Sequence, residues 1–422
     1  MGGMRVSLAN KAEFDVLVVG GGLVGASLAC ALGEASLRVG IVEAAPFGVQ
    51  EPSTYDDRSL ALSLGTQRIL RTLGLWEHLA DAVNPICAVH VSERGQFGVT
   101  RFRARHEGVS ALGYVTDART LGEVLKKGLV RHSNVTLLCP ARVMGVFVEQ
   151  DNVRVGLQGI VPVPTVCARV LVAADGARST VRELMGLSVH ERDYHESAIT
   201  ANVTPTVEHR DTAYERFTDD GTIALLPMKG GRCGLIWTAP SQRAEELLDL
   251  DEAAFLVALN RTFGWRLGKF LQVGHRVYYP LRLVSAKDQA FHRVVIIGNA
   301  AHTLHPIAAQ GFNLGLRDAA TLAEVLVDAW RAGQDPGSLA VLHRYTDARR
   351  RDQQEVALVT DSLARLFSIR STLWSPLRGM GLLALDLLPW VKHQVARRAM
   401  GLAGRQTRLA RGVPLYNSEL GT

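Results

Sequence analysis

Solid apolar runs, rather than alternating ones, mark the two ends of this chain's first two-thirds. Phe14 to Val19 is unbroken apolar apart from Asp15, stops at Gly20-Gly21-Gly22-Leu23-Val24-Gly25, and passes into a helical pattern ending near Gly33. Arg38 to Val42 is a second such run, Ala168 to Ala173 a third and Val294 to Ile297 a fourth. Runs of this kind suit strands covered on both faces. The segment Ala44 to Asp57, with Pro46, Gly48 and Pro52, is irregular, and the spacing predicts a helix opening at Arg58-Ser59-Leu60 and continuing through Ile69, Leu70 and Leu73. Strands are expected at 86–92 and 98–103, around a Glu93-Arg94-Gly95-Gln96 turn, and at Val135–Leu138, Arg142–Val148 and Val153–Leu157. A helix is expected over Thr120 to Val130. Between Tyr194 and Tyr279 the pattern becomes strand-rich (Ala198–Val203, Thr212–Phe217, Thr222–Pro227, Arg232–Thr238) with one helix, Leu250 to Thr262. Long helical periodicity then covers Gly311–Arg331 and Ser338–Leu366, and no repeat or low-complexity tract interrupts the chain.

The glycine-rich turn after the first strand carries chemistry. Gly20, Gly22 and Gly25 fit the G-x-G-x-x-G spacing, in which the first glycine permits the tight turn, the second admits a pyrophosphate and the third lets helix pack on strand. Glu43 ends the second strand twenty-three residues after Gly20, where a carboxylate accepts hydrogen bonds from ribose hydroxyls and repels a 2′-phosphate. Residues 298–318 form a second polar, glycine-punctuated loop between a buried strand and a helix, and helix starts attract electron-rich groups. Together the two loops point to a flavin. The fold expected is α/β: a Rossmann-like FAD-binding domain (14–85, 105–190 and 285–366), an inserted antiparallel-sheet substrate domain (86–104 and 191–284), and a basic helical C-terminal segment (367–422).

Composition narrows the context. Hydrophobic residues make up 47% and charged residues 21% of 422 positions, a globular balance with room for more than one domain. Cys30, Cys87, Cys139, Cys167 and Cys233 show no paired spacing, so buried side chains are expected rather than disulfides or metal ligands, as in a reducing cytoplasm. His302 and His305 lie three apart without a third ligand in step, and no metal site is assigned. Neither a secretion signal nor an eighteen-residue apolar span is visible. The net charge of +6 sits at one end: Arg370 to Arg411 holds eight Lys or Arg against Asp386 alone. A basic end beside an apolar stretch (Gly379–Trp390) points to the inner face of an anionic membrane, not to nucleic acid.

Three motifs in order, Gly20-x-Gly22-x-x-Gly25 with Glu43, Asp175-Gly176 after a strand, and Gly298-Asn299 leading to Pro306 and Gly311, resemble the single-component FAD-dependent aromatic hydroxylases of the para-hydroxybenzoate hydroxylase fold. The resemblance spans about residues 14–370. Longer strings narrow it to the ubiquinone-biosynthesis hydroxylases, in particular those acting on 2-polyprenyl-6-methoxyphenols: Asp56-Asp57-Arg58-Ser59-Leu60-Ala61-Leu62, Leu112-Gly113-Tyr114-Val115, Glu215-Arg216-Phe217-Thr218, Ala224-Leu225-Leu226-Pro227-Met228 and Thr360-Asp361-Ser362-Leu363. The resemblance implies pyrophosphate contacts from Gly20, Gly22 and Gly25, ribose contact from Glu43, and arginines near the FAD ribose or phosphates at Arg58 and Arg119. It also implies Asp175 and Gly176 beside the pyrophosphate, and backbone N–H groups of Gly311, Phe312 and Asn313 at the flavin ring edge. Asn299 stands where the family has a ribityl-binding aspartate, and an amide there keeps an acceptor and adds donors. Ala309 replaces a more usual glycine. His305, Pro306 and Gln310 are pocket candidates, Pro306 along the flavin plane, and no catalytic residue is assigned because the flavin carries the chemistry. The implied reaction is ring hydroxylation of a polyprenylated phenol by O2 through a flavin C4a-hydroperoxide. Electrons would come from NAD(P)H, without a Rossmann domain of its own, or from an electron carrier. Two alternatives stay open: a small soluble aromatic substrate, or an FAD-containing accessory subunit of a quinone-biosynthesis complex.

Overall fold

The computed structural model describes residues 13–33, 35–46, 59–161, 163–368 and 374–416. Two large sheets dominate it. The first runs in the order Ala290–Phe291, Val294–Ile296, Thr165–Ala173, Phe14–Val19, Val39–Val42, Val135–Leu138, with the first junction antiparallel and the other four parallel. The hairpin Ala141–Val148 and Val153–Gly159 joins it antiparallel along the first half of Thr165–Ala173. All six residues of Phe14–Val19 are buried because both faces are covered. One face packs on the helices Leu23–Leu32 and Gly311–Arg331, the other on the hairpin through Val143, Val153 and Val155. Asp15 is the polar exception within that strand: its carboxylate ties Arg38 (Nη2 at 3.1 Å) and Arg169 (Nε at 3.4 Å).

The second sheet is a nine-stranded platform. Its order is His302–Thr303, Val277–Ala286, Val189–Pro205, Cys233–Pro240, Gly221–Pro227, Thr212–Thr218, Ala88–Glu93, Val99–Arg103, with Phe270–Val273 also paired to Val189–Pro205. All junctions are antiparallel except Thr212–Thr218 with Ala88–Glu93, which is parallel. Helices Ser241–Asp249 and Glu252–Phe263 cover one face through Phe255, Leu259 and Phe263, against Leu225, Leu235 and Trp237. The opposite face (Ala213, Ala224, Leu226, Ile236) meets a small sheet of Ser59–Ser63, Gly113–Asp117 and Asn84–Ile86 through Ala61 and Val115. The platform thus draws on residues 88–103 and 189–303, and its last strand lies inside the second cofactor loop.

Several local expectations change in detail. The segment expected to open a helix at Arg58 is a strand over Ser59–Ser63, and the helix begins only at Leu64. The Ser63 hydroxyl accepts the Thr66 N–H at 3.1 Å and so fixes that later start. Asp117 and Asp251 likewise cap the helices Ala118–Val130 and Glu252–Phe263. The longest strand, Val189–Pro205, escapes the apolar pattern because its first half is polar. Cys30 and Cys233 are buried, their thiols pushed up to about 12 by burial, whereas Cys87, Cys139 and Cys167 are only partly covered.

The C-terminal helices Trp374–Leu387 and Pro389–Ala399 lie against the body rather than apart from it. Arg378 pairs with Glu93 at 2.6 Å with both side chains nearly inaccessible, and the Thr100 hydroxyl donates to the Leu382 carbonyl at 2.6 Å. Further on, the Gly65 N–H donates to the Met400 carbonyl at 2.8 Å, and Arg408 pairs with Asp328 at 2.6 Å. The segment therefore touches the platform, the helix Leu64–Thr72 and the long helix Gly311–Arg331 in turn.

Candidate active site

Three glycines set the first loop. Gly20 has φ +100°, and a Cβ on it would come within 2.5 Å of the Ala174 carbonyl oxygen. A Cβ on Gly25 would sit 2.0 Å from the Gly20 oxygen, so the helix approaches the strand only because that atom is absent. Gly22 faces open space. The helix it precedes has no side-chain cap, unlike the helices capped by Ser63, Asp117, Ser179 and Asp251. Its first N–H groups are left for an anion. Glu43 stands beside this loop, accepting the Gly21 N–H at 2.7 Å and the Ala45 N–H at 2.8 Å, with lone pairs to spare.

Asp175 and Gly176 follow the strand next to Phe14–Val19. The Asp175 Oδ2 accepts the Val181 N–H at 3.1 Å, whereas Oδ1 is buried without a partner among the described residues, and Gly176 has φ +84°. Arg119 lies in the first turn of its helix, two residues beyond the register partner of Ser59; it is exposed and paired with Glu123 at 3.3 Å. Arg58 lies outside the described residues.

The second loop approaches the first directly. Gly298 (φ +58°) and Gly315 both press on Val24, where added Cβ atoms would come within 3.1 and 2.8 Å of its methyl groups. Asn299 is exposed in a single 3-10 turn, its carbonyl accepting the Thr303 hydroxyl at 3.2 Å. Ala309 has φ +48°, a left-handed conformation costly to any residue with a Cβ, which is the physical meaning of the glycine usual there. Helix Gly311–Arg331 again starts without a side-chain cap, and a Cβ on Gly311 would meet nothing. Asn313 is fully engaged: its Oδ1 accepts the Ser63 N–H (2.8 Å) and the Thr66 hydroxyl (2.7 Å), and its Nδ2 donates to the Ala61 (2.8 Å) and Ala309 (3.0 Å) carbonyls. Only the backbone N–H groups of Gly311, Phe312 and Asn313 are thus offered at this helix start.

The pocket candidates divide. His305 is buried against the platform strand Val189–Pro205, with Nδ1 accepting the Ile307 N–H at 3.3 Å, Nε2 3.4 Å from Glu196, and its ring edge-on to Tyr194. Pro306 begins the short turn Ile307–Ala309. Gln310 reaches the Ala399 carbonyl of the C-terminal helix at 3.5 Å. His302 turns elsewhere, to Asp318 at 2.5 Å, so the two histidines do not converge.

Asp318 ends the motif in sequence and received no role from it. It is buried and holds the loop from beneath: Oδ2 accepts His302 and the Gly298 N–H (3.3 Å), and Oδ1 accepts Arg349 (2.8 Å) and Gln353 (2.9 Å). Burial alone would raise this carboxyl, but His302 and Arg349 hold it well below the usual range. Arg349 lies thirty-one residues further on and carries no local signal. Two surface cavities of about 490 and 500 Å³ lie behind the loop, beside His343 and Arg350, and along the long helix beside Glu324 and Arg344; neither includes the glycines of the first loop.

Two open helix starts meeting across shared glycines, an acid at the end of the second strand and an Asp175 oxygen unpartnered among the described residues fit a dinucleotide. This is the arrangement of a flavin-dependent oxygenase. The FAD binding domain family matches residues 13–359. The chain is 39% identical to the ubiquinone hydroxylase UbiL of Rhodospirillum rubrum over 404 residues, covering 95% of this chain and 93% of that protein. It is 30% identical to the 3-demethoxyubiquinol 3-hydroxylase of Escherichia coli over 390 residues, covering 92% and 98%. Among solved structures, p-nitrophenol 4-monooxygenase PnpA of Pseudomonas putida superposes with a TM-score of 0.77 at 22% identity, over 93% of this chain and 99% of that one. The chain belongs to the FAD binding domain family, within it to the ubiquinone-biosynthesis hydroxylases, and is an FAD-dependent monooxygenase.

Proposed function

We propose that this enzyme hydroxylates the ring of a polyprenylated phenol, methoxylated or not, in ubiquinone biosynthesis. One O2 and a two-electron reductant, NAD(P)H or an electron carrier, put one oxygen on the ring and release the other as water. The observation that carries the reading is the meeting of the uncapped Gly311 helix start, through Asn313 and Ala61, with a platform face of small and apolar side chains. Such a face accepts an aromatic ring and shields it from water. FAD, when bound, supplies the oxygen activation.

In this reading Gly20, Gly22 and Gly25 cradle the pyrophosphate, and Glu43 takes the adenosine ribose. Asp175 offers its free oxygen to hydroxyl groups or ordered water beside the phosphates, and Arg119 leaves its exposed pairing with Glu123 to face the phosphates. Asn299 faces the ribityl chain, and the N–H groups of Gly311, Phe312 and Asn313 hydrogen-bond the ring edge. His305 and Pro306 wall the pocket, and Gln310 links it to the C-terminal helices. The test is mass spectrometry of quinone-pathway lipids in cells lacking the chain. A polyprenyl phenol one oxygen short, with quinone lost, supports the reading. Unchanged quinone without an accumulating phenol points to a small aromatic substrate instead. Quinone lost, then restored by a chain that cannot be reduced, points to the accessory-subunit alternative.

A membrane contact deepens the proposal. Leu377, Met380, Leu383, Leu387, Leu388 and Trp390 are exposed along the C-terminal helices, Leu387 at 68% and Trp390 at 72%, with Arg397 and Arg398 exposed beyond them. Among the described residues no helix is long and apolar enough to cross a membrane. A stripe with flanking cations suits a surface contact, through which a prenyl chain would be drawn from lipid. Replacing Leu387 and Trp390 together by serine is expected to lower flotation with anionic liposomes several-fold; unchanged flotation removes the contact.

A further inference from the structure

The platform face turned to the small sheet contains a row of cross-strand partners: Thr200, Ile236, Ala224, Glu215 and Val91. Directly opposed residues share a face, so these five line one strip. Its surroundings place the strip. Ala213, Leu226 and Met228 pack with Ala61 and Val115 of the small sheet, and a Cβ on Gly234 would lie 2.1 Å from the Ser59 hydroxyl. The same strand, Ser59–Ser63, is hydrogen-bonded to Asn313 in the first turn of the long helix. The row thus lies across from the helix start that faces the flavin ring edge.

The strip is small or apolar except at two places. Thr200 has a buried hydroxyl without a partner among the described residues. Glu215 is the only ionisable member of the row. It is half-buried, so part of its surface stays open to a ligand. Among the described residues no cation or hydrogen-bond donor satisfies it. Glu93, on the next rung, is matched by Arg378 of the C-terminal helix at 2.6 Å. Asp117 of the small sheet is turned to its own helix cap, accepting the Thr120 N–H at 2.7 Å. His90, Tyr214 and Arg216 alternate to the opposite face of the same strands. A carboxylate kept in an apolar recess without a partner is costly unless a ligand completes it.

We propose that Glu215 is the proton acceptor for the substrate phenol. This rests on the ring-hydroxylation reading above. Its carboxylate accepts the hydrogen bond of the ring hydroxyl and then its proton; the O–H bond breaks and the electron pair stays on oxygen, raising the electron density of the ring that is to take up oxygen. Once the hydroxylated carbon has released its hydrogen to solvent as a proton, Glu215 returns its own proton to the ring oxygen and is unchanged over the cycle. Burial pushes the Glu215 carboxyl up to about 8. That brings its basicity near that of a phenol, ~10, where an ordinary carboxylate at ~4.3 is a far weaker base.

The experiment uses the full chain loaded with FAD, a phenol carrying a short prenyl tail, and Glu215→Gln beside the parent. For the parent, kcat/KM is expected to rise with pH to a plateau above about 8. Glu215→Gln is expected to lose ~10²-fold or more in kcat with KM little changed, and to lose that rising limb; Glu215→Asp should restore part of both. A second readout needs no turnover. A carboxyl raised on folding binds more protons folded than unfolded between pH about 4.5 and about 8, so the parent loses stability as pH rises through that window. Glu215→Gln, which has no charge to bury, should not. Its thermal midpoint should exceed that of the parent above pH 8. An active parent matched in kcat and pH profile by Glu215→Gln, or identical stability curves for the two, overturns the proposal alone. A parent inactive on every prenylated phenol overturns the hydroxylation reading and the proposal with it.

Discussion

The glycine loops and the platform face, the two sides of the proposed site, are built by opposite means. The loops act through backbone: Gly20, Gly25 and Gly298 matter for the atom they lack, and the open helix starts for N–H groups that every residue possesses. The platform acts through side chains brought into rows by strand register, where Ala224 leaves room and Glu215 has no partner among the described residues. An added carbon should therefore ruin the loops at once, whereas the platform should bear changes of shape but not of chemistry.

The largest effect expected is that of Gly25→Ala, which would set a methyl group 2.0 Å from the Gly20 oxygen and force helix and strand apart. The purified variant should carry little flavin, with FAD affinity down ~100-fold or more, equivalent to ~3 kcal/mol. Flavin absorbance after purification checks this, and full occupancy would break the contrast. Glu215→Gln is the platform counterpart: it should keep FAD and change only catalysis and the pH dependence of stability.

Asp318 comes next, as the support beneath the loop. Asp318→Ala leaves Arg349 buried and His302 without its acceptor, and should cost ~3–5 kcal/mol in urea unfolding. The sign with pH follows from the lowered carboxyl: its contribution is complete above about 3.8 and is lost as pH falls through the still lower folded value. The variant should show a flatter acid limb, and an unchanged limb would remove Asp318 as the loop's anchor. Ala309→Gly should have the smallest effect. Relief of the left-handed backbone at φ +48° is partly offset by the greater freedom of an unfolded glycine, for a net gain of ~1 kcal/mol or less. A clear destabilisation would mean that the methyl group is needed in the loop.

Legibility in sequence followed the distance over which a feature is assembled. The strand-turn-helix around Gly20 and the acid at Glu43 fall within thirty residues, so period and spacing displayed them together. The long helix from Gly311 to Arg331 was equally plain. The helix expected from Arg58 failed because a strand paired to Gly113–Asp117 looks, read alone, like the first turn of the helix after it. Asp318 and Glu215 both stood inside recognisable strings and remained without roles. The reason differs in each case. The partners of Asp318 lie sixteen to thirty-five residues away on the chain, whereas Glu215 is defined by having no partner among the described residues, which no spacing can reveal.

Sequence alone determined the chemistry on offer: a glycine loop of dinucleotide-binding spacing, an acid at the end of the next strand, a second loop at a helix start, and a basic apolar end. These depend on local backbone conformation and on residues close in the chain. Tertiary structure decided which groups meet. It joined Val24 to Gly298 and Gly315, turned His302 and His305 to different partners, laid the C-terminal helices on the platform, and left Glu215 on an apolar face without a partner among the described residues. Register and packing set the cost of a buried charge, and both are settled only when strands distant in sequence lie side by side.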